Sequence, residues 1–508
     1  MGKSKVKEDK KSPFLFVLAM ALFMFSPFTL ITTMSDMVGD TAIQIRLGLD
    51  SLAQGHIILD EIYSWHEGLI FTAHEAGWYL LLGTCYKLLG IAGVILVGTI
   101  FTYLTAFFCL KYASSTSAHP IVTAVVASVV PFLSGFPDYS VRPSCTSLFA
   151  LALFVYVYMT SKKMWSSRIA FVVLCFFLGW LHGGILPVFA AVMGFFAVIE
   201  LLYKEYRLAG INVLSIVAGF LVSLLNPIGI RVWTFGLKQS TASDVWQYVD
   251  EWKPMNFSIF ISVCLLLLLI GFMASPKVQN FEKATITKLG LICMFFVAAC
   301  IYKRFMLQLS VLYLMFAPEF ITDLIVWVNS HLLKVKSKIE LQGRVYKLLA
   351  VVCVLFTLIT GVLRGTEYFH TNTMADIELM ARYDRGVVDY ALAHGYSRPF
   401  NTFNTGSWLV FSGVPVHIDN RIDPYMMEYS GVDHVRDKMN VGCLADLDYI
   451  YGQYGCDAFI LDMPNGYSYL LYEIETYAPD RYKVVYDNVV VSPYDNSSLR
   501  WVIIEPVS

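Results

Sequence analysis

The chain has 508 residues, of which 57% are hydrophobic and 15% are charged, and its mean hydropathy is +0.60. This apolar share exceeds that of a soluble globular domain, so the composition predicts a polytopic membrane protein. The formal net charge of −2 argues against nucleic acid as a partner.

The chain begins with a basic leader, residues 1–13, and an apolar run over 14–33 follows it. Lysines next to a span stay on the cytoplasmic side of the membrane, so we expect a cytoplasmic N-terminus. The lysines of the leader are Lys3, Lys5, Lys7, Lys10 and Lys11. The run is about twenty residues long and lacks a convincing small-residue cleavage site, which favours a retained anchor over a signal peptide.

The loop after this first span, residues 34–90, is rich in acidic residues and histidines. These include Asp36, Asp40, Asp50, Asp60, Glu61, His66, Glu67, His74 and Glu75. Because the leader is cytoplasmic, the loop should face outward. A carboxylate cluster at an outer membrane face is suited to chemistry on lipid-anchored substrates.

Residues 14–365 contain about eleven apolar runs that are long enough to cross the hydrocarbon of a bilayer. The runs are 14–33, 91–112, 120–136, 143–160, 169–181, 185–203, 208–226, 257–274, 287–302, 305–327 and 347–363. Lysines and arginines fall on alternate loops, which assigns those loops to the inside. An odd number of spans from an inside N-terminus leads the chain out again after residue 365.

Two of these runs, 169–181 and 185–203, are short and meet at Trp180-Leu-His182-Gly-Gly184. Their length suggests a re-entrant or broken pair that dips from the outer face. Irregular backbone at that depth is tolerated only beside protein or a water-filled cavity. An imidazole there is costly unless it lines a functional cavity, so His182 is a candidate site residue, with a structural role equally open.

Residues 366–508 differ from the spans in composition and predict an extracytoplasmic α/β domain. Helical periodicity covers 374–394, and amphipathic segments cover 445–454 and 467–477. The strand-like runs are 415–418, 458–461, 483–486, 489–492 and 501–504. Asp419, Arg421 and Asp423 alternate along a strand-like stretch, which favours an internal ion-pair network over a binding triad. Cys443 and Cys456 are a disulfide or two free thiols.

The order of several short motifs resembles a bacterial set of GT-C-like membrane proteins, mostly without assigned activity. The motifs are His74-Glu75, Trp180-Leu-His182-Gly183, Asn226-Pro227-Ile-Gly229, Glu251-Trp252-Lys-Pro254 and Val416-His-Ile-Asp419-Asn-Arg421. The resemblance spans nearly the whole chain. It departs at Ala76-Gly77, where an aromatic residue is usual, and at Asn420, where glycine is usual.

The GT-C resemblance implies a membrane glycosyltransferase of the cell envelope, in a bacterial plasma membrane. Such enzymes, which include oligosaccharyltransferases and protein mannosyltransferases, move a sugar or oligosaccharide from a polyprenyl-phosphate carrier to a lipid, glycan or protein at the outer face. One alternative is a transporter or flippase of lipid-linked sugars, which would want mid-span charges and internal repeats. Another is a non-catalytic binding or assembly protein, which would tolerate Asp40→Asn.

Transfer from such a donor needs a base for the acceptor, and the resemblance implies an acid soon after the first span. We expect Asp40 to be this base. Asp36 lies one helical turn earlier and would share the site if the stretch is helical. The alternative for both residues is a solvated loop acid or a helix cap. With His182, they make up the predicted catalytic group.

The departing phosphate needs cations, and the outer-side candidates are Arg142, Arg231, Lys303 and Arg304. Arginine is favoured because its planar fork grips two phosphate oxygens. Arg142 and Arg304 also align with positions that commonly carry arginine in the resembling set. Ordinary snorkelling residues would give the same pattern.

Two further groups have predicted binding roles. Asp250, Glu251 and Trp252 form an outer cluster that would bind acceptor or sugar, with an interfacial anchor as the alternative for Trp252. His66, His74 and Glu75 are candidate ligands of a divalent ion such as Mn²⁺ or Mg²⁺. GT-C members divide into metal-using and metal-free types, and His74 and Glu75 would alternatively cap the following helix.

Overall fold

The structure is a computed structural model. It describes residues 38–133, 141–241, 250–333, 374–435, 441–464, 469–493 and 496–507, with the single positions 14, 17, 18, 348, 351, 352, 355 and 359. The fold divides into two compact units. The span unit contains Met1–Thr32 and Gly98–Thr366, and the loop–tail unit contains Thr33–Val97 and Glu367–Ser508. We expected the outer loop to belong with the spans, whereas the structure groups it with the C-terminal residues.

Among the described residues up to 333, helices are the main secondary structure. In chain order they are α1 Asp40–Gln54, α2 Ala76–Leu89, α3 Ile91–Ala113, α4 Pro120–Leu133, α5 Ser144–Thr160, α6 Met164–Leu181, α7 Leu186–Leu202, α8 Tyr206–Ser223, α9 Arg231–Thr241, α10 Ile259–Ala274, α11 Pro276–Gln279, α12 Lys283–Ile301 and α13 Met306–Val328. Three 3-10 turns interrupt them, at Gly183–Ile185, Asp250–Trp252 and Lys303–Phe305.

Within the described residues, six helical segments are long and apolar enough to cross a membrane, and α4, α5 and α10 are shorter apolar helices. The six are Ile91–Ala113, Met164–Leu181, Gly183–Leu202, Tyr206–Ser223, Lys283–Ile301 and Lys303–Leu332. These segments match the predicted runs between 91 and 327, while 14–33 and 347–363 lie mostly outside the described residues. The protein is therefore a polytopic integral membrane protein, as the composition predicted.

The two short runs on either side of His182 are longer as helices, and the helical backbone breaks between them at His182 and the turn Gly183–Ile185. α6 begins at Met164 and is 18 residues long, so both it and the segment Gly183–Leu202 have the length of a full span. The apolar run was truncated at Arg168, which is buried inside the helix. Its Nε donates to Asn212 Oδ1 of α8 at 2.9 Å, and its Nη1 donates to the Met164 carbonyl at 3.0 Å. Such partners allow a buried guanidinium within a span.

The span unit also buries an acid of α13. Glu319 is buried beside Pro318 and pairs with Lys288 of α12 and with Lys277 of α11. Lys277 also donates to the Ser117 hydroxyl at 2.9 Å. A buried charge is tolerated when an opposite charge and hydrogen bonds compensate it, so these pairs fix α11, α12 and α13 against one another.

In the loop–tail unit, α1 and α2 cross at two glycines. A Cβ on Gly48 would come within 2.0 Å of the Tyr79 carbonyl oxygen, and one on Gly83 within 2.5 Å of Gly48 C. Only glycine permits such close approach of two helix backbones. α1 also packs on a short helix from the C-terminal residues, Phe403–Phe411, where Arg46 Nη1 lies 3.4 Å from the Phe411 carbonyl oxygen.

The C-terminal residues form the α/β fold that was predicted. Their helices are α14 Met374–Met380, α15 Arg385–His394, α16 Phe403–Phe411, α17 Met427–Ser430, α18 Leu444–Tyr454 and α19 Tyr469–Tyr477. Four strands, β1 Pro399–Asn401, β2 Ala458–Pro464, β3 Tyr482–Val491 and β4 Ser498–Pro506, form a sheet in the order β1-β2-β4-β3. β1 is parallel to β2, and the other pairs are antiparallel.

The core of this sheet contains Phe400, Leu447, Phe459 and Ile504, all buried. Cys443 and Cys456 are free thiols, and Cys456 lies in the same core. A buried thiol of this kind acts as a small apolar side chain.

Candidate functional site

Arg142, a predicted phosphate ligand, immediately precedes α5. Its Nη1 lies 3.5 Å from Glu251 Oε2, so the structure brings it to a predicted acceptor residue. Both side chains are partly exposed, which makes the ion pair weak and exchangeable. An incoming anion could therefore replace the Glu251 carboxylate at the guanidinium.

Arg304 lies over the ring of Trp252, with 4.4 Å between the guanidinium carbon and the ring centroid. The indole is buried, and such cation–π pairs gain strength when desolvated. The backbone supports this pair, because Lys303 N–H donates to the Lys253 carbonyl at 2.8 Å. The 3-10 turns Asp250–Trp252 and Lys303–Phe305 thus pack together. This contact brings together four more predicted site residues, namely Asp250, Trp252, Lys303 and Arg304.

His182 is buried at the end of α6, and its Nδ1 lies 2.5 Å from the Ser147 hydroxyl oxygen. Ser147 belongs to the first turn of α5, and Arg142 lies two residues before that helix begins. His182 and Arg142 therefore lie at the same end of α5.

Arg231 is the least connected of the four predicted cations. It is the first residue of α9 and is exposed to solvent. α9 itself packs on the turn after His182, where a Cβ on Gly236 would meet the Gly184 carbonyl oxygen at 2.9 Å. None of the contacts that the structure describes joins Arg231 to Arg142 or Arg304.

Asp40 is the first residue of α1 and follows Gly39, whereas Asp36 lies outside the described residues. One turn after Asp40, Gln44 Nε2 donates to Glu75 Oε2 at 3.0 Å. Glu75 Oε1 in turn lies 3.3 Å from His74 Nε2. Glu75 precedes α2, but its side chain makes no capping hydrogen bond, which disfavours the capping alternative.

Asp423 is buried and His74 is partly buried, and each favours the charged form of the other. Burial lowers the pKa of His74, but Glu75, Asp423 and the Thr72 backbone together outweigh this and the net shift is upward. Burial raises the pKa of Asp423 to about 7, against the opposing effects of His74 and Arg421. Thr72 N–H donates to Asp423 Oδ2 at 3.1 Å. These groups titrate as a linked pair.

Asp423 belongs to a turn and a 3-10 helix, so the predicted strand through Asp419 and Arg421 is wrong. Ile422 takes φ 59° and ψ −45°, a conformation that no strand contains. The predicted ion-pair network is confirmed. Arg421 is buried, with Nη2 2.6 Å from both Asp419 Oδ2 and Glu61 Oε2.

His66 belongs to a histidine cluster that sequence reasoning missed. Its Nε2 lies 2.9 Å from His417 Nδ1, and its ring stacks on His434 with centroids 4.0 Å apart. Burial, with the neighbouring histidines, lowers the pKa of His66 to about 3 and that of His417 well below its usual value. His66 lies 351 residues before His417 in sequence, and no local pattern signals their meeting.

No protein-family model matches the sequence, and no curated protein matches it. Among solved structures, the chain is similar to the archaeal oligosaccharyltransferase AglB from Archaeoglobus fulgidus, solved with an inhibitory peptide and a dolichol-phosphate. This likeness has a TM-score of 0.53 at 9% identity and covers 89% of this chain and 69% of AglB. The chain has a GT-C fold.

A second similar structure is apo ArnT from Cupriavidus metallidurans, with a TM-score of 0.46, 11% identity and coverage of 96% of this chain and 97% of ArnT. The similarity to AglB confirms the GT-C fold that the motif order predicted. At such identity the likeness concerns the fold alone.

Within the described part of this GT-C-fold protein, no group of three or more His, Cys, Asp and Glu side chains is arranged to hold a metal ion. The three predicted ligands do not form one set. His66 contacts His417 and His434, whereas His74 and Glu75 contact each other and Gln44. The divalent ion, Mn²⁺ or Mg²⁺, therefore stays a prediction from the residue types, without a ligand set among the described residues.

Proposed function

We propose that this protein is a membrane glycosyltransferase that moves a sugar or oligosaccharide from a polyprenyl-phosphate donor to an acceptor at the outer membrane face. The GT-C fold supports this proposal, and AglB was solved with a lipid phosphate of this kind, a dolichol-phosphate. The single observation that carries it is the meeting of Arg142 with Glu251 and of Arg304 with Trp252 in the span unit. The acceptor, a lipid, glycan or protein, is left open.

Arg142 and Arg304 have the task of holding the donor phosphate. Guanidinium groups bind phosphate oxygens in pairs, and they stay charged when partly desolvated. The contact between Arg142 and Glu251 is 3.5 Å long, and a phosphate oxygen would replace the carboxylate there. The buried indole of Trp252 fixes the plane of Arg304. Lys303, in the same 3-10 turn as Arg304, adds a positive charge but lacks the planar guanidinium that binds two phosphate oxygens.

Asp40 has the task of general base. Its carboxylate would take the proton from the acceptor hydroxyl or amide as the acceptor atom forms a bond to the sugar carbon. The bond from that carbon to the phosphate oxygen breaks, and the polyprenyl phosphate leaves with the electron pair. We expect inversion at the sugar carbon, as for a single displacement. In the span unit, His182, held by Ser147, would orient groups of the donor.

The orientation is part of the proposal. The basic leader and the lysines of alternate loops favour a cytoplasmic N-terminus, and the odd number of predicted spans favours an outer C-terminal domain. We assign the acidic loop to the same outer side.

Transfer by the purified protein in liposomes tests this function. Radiolabelled polyprenyl-phosphate glucose, mannose and N-acetylglucosamine serve as donors, with membrane lipid extract and peptide as acceptors. A general base contributes about 10²–10⁴-fold, so we expect Asp40→Asn to lose at least about 100-fold in rate. Arg304→Gln should raise the KM for the donor, and Arg207→Gln, an exposed arginine in α8, should match the wild type.

Two outcomes count against the proposal. Equal turnover in the wild type and Asp40→Asn would remove Asp40 from the role of base. Absence of transfer from every donor by a folded wild-type protein would leave only the membrane fold.

A further inference from the structure

A chain of partly buried polar contacts begins one helical turn after Asp40 in the loop–tail unit. Asp40 and Gln44 are four residues apart on α1, so their side chains lie on the same face of the helix. Both ends of the Gln44 amide have partners. Its Nε2 donates to Glu75 Oε2 at 3.0 Å, and its Oε1 accepts from the Trp78 indole at 2.9 Å. Trp78 is fully buried, so the orientation of Gln44 is fixed.

Glu75 is fixed in the same way. Its Oε1 lies 3.3 Å from His74 Nε2, and His74 Nδ1 lies 2.9 Å from the Thr72 carbonyl oxygen. Thr72 N–H then donates to Asp423 at 3.1 Å. The contacts thus continue from α1 into the C-terminal residues. An acid that only capped α2 would direct its carboxylate at the backbone of that helix, which Glu75 does not do.

The far half of α1 is already immobilised by the Gly48 and Gly83 crossing, where backbone meets backbone. The N-terminal turn, which contains Asp40, has no such glycine contact among the described residues. Gln44, one turn along on the same face of α1, connects this turn to α2 through its hydrogen bonds with Glu75 and Trp78. Because a misplacement of about 1 Å in a reacting group can cost about 10²-fold in rate, such fixing matters to a base.

We propose that Glu75 is a positioning residue for Asp40, acting through Gln44 and itself held by His74. This rests on the proposed function, since it assumes that Asp40 is the base. Glu75 does not touch substrate in this role. Its substitution therefore affects the rate of the chemical step and leaves donor binding unchanged.

Two variants of Glu75 separate positioning from charge. Glu75→Gln keeps an oxygen that accepts from Gln44, whereas Glu75→Met keeps the length and removes the acceptor. In the liposome assay we expect Glu75→Met to lower kcat about tenfold, with KM for the polyprenyl-phosphate donor within about twofold of the wild type. Glu75→Gln should recover most of the rate. Glu67→Met, in an exposed part of the same loop, is the matched control.

A second readout does not require turnover. Carbodiimide labelling of Asp40, followed by peptide mass spectrometry, reports the environment of its carboxyl group across pH. We expect the pH profile of labelling to shift in Glu75→Met and to return toward wild type in Glu75→Gln, with Tm changing by less than about 3 °C in both.

The two readouts distinguish failure of this inference from failure of the proposed function. A shifted labelling profile with no transfer by any protein would sink the proposed function and leave the positioning intact. Active wild type with unchanged kcat and unchanged labelling in Glu75→Met would overturn the positioning. A loss of rate that Glu75→Gln does not recover would show that the charge, rather than the hydrogen bond to Gln44, is what counts.

Discussion

Arg421 is the residue on which the polar interior of the loop–tail unit depends. It contacts Asp419 with two nitrogens, Nε at 2.9 Å and Nη2 at 2.6 Å, and it pairs with Glu61 of the outer loop. All three side chains are at most 7% exposed. Removal of Arg421 would leave two buried carboxylates without their cation, with only hydrogen bonds such as those from Tyr425 and the Tyr63 N–H.

We therefore predict that Arg421→Met destabilises the protein by about 3–5 kcal/mol, as measured by urea or thermal unfolding. Arg421→Lys should recover part of this, because it restores the charge without the fork. Arg385→Met is the control, since that side chain is half exposed and its contacts with Glu378 are 3.5 Å long. Equal stability of Arg421→Met and Arg385→Met would contradict the network.

The histidine cluster predicts a dependence of stability on pH. The folded-state pKa values of His66, at about 3, and of His417 lie below the usual value of 6.5, so the folded protein binds fewer protons than the unfolded chain. Their contribution is complete above pH 6.5 and is lost as the pH falls toward 3. Asp423 has the opposite sign, because its raised pKa of about 7 makes the folded form gain stability on acidification.

Comparison of two proteins isolates the histidine effect. We predict that the drop in Tm between pH 7.5 and pH 4.5 is larger in the wild type than in His417→Gln, which lacks one buried imidazole. The measurement is differential scanning fluorimetry in detergent at both pH values. A drop of the same size in both proteins would exclude His417 as a source of the acid sensitivity.

At the scale of elements, the contact of α1 and α2 depends on two glycines. A methyl group on Gly48 would meet the Tyr79 carbonyl oxygen at 2.0 Å, and backbone atoms cannot move aside as a flexible side chain would. We predict that Gly48→Ala destabilises the protein by about 1–3 kcal/mol, seen as a lower Tm. Gly210→Ala, in α8 with open space around it, should be neutral or stabilising by up to about 1 kcal/mol. A neutral Gly48→Ala would refute the tight crossing.

The elements that were predictable from sequence are those with a long, regular signal. The spans have such a signal. So do the strands β2 and β4 and the helices α18 and α19, because the apolar residues of each recur at the period of its secondary structure. β1 has only three residues and α16 only nine, so neither rises above the background of a short apolar stretch. The expected strand at 415–418 forms only an isolated bridge between Val416 and Ser64, because the partner lies in the outer loop.

At the scale of the whole molecule, the sequence could not reveal which distant segments fold together. Charged residues near the first span were predicted to belong to the spans, but Glu61 pairs with Arg421 and His66 with His417, each across about 350 residues. The pairing of Arg142 with Glu251 and of Arg304 with Trp252 was likewise beyond any local pattern. The candidates themselves were found because outer cations and aromatics at helix ends are uncommon enough to single out.

The claim on which the proposed function depends is that Arg142 and Arg304 hold the phosphate of a polyprenyl carrier. The most direct measurement is a cryo-EM structure of the protein in lipid nanodiscs with a polyprenyl phosphate. We predict phosphate density within hydrogen-bond distance of both guanidinium groups, with Glu251 displaced from Arg142. Lipid phosphate found elsewhere, with the Arg142 and Glu251 pair intact at saturating ligand, would contradict the claim.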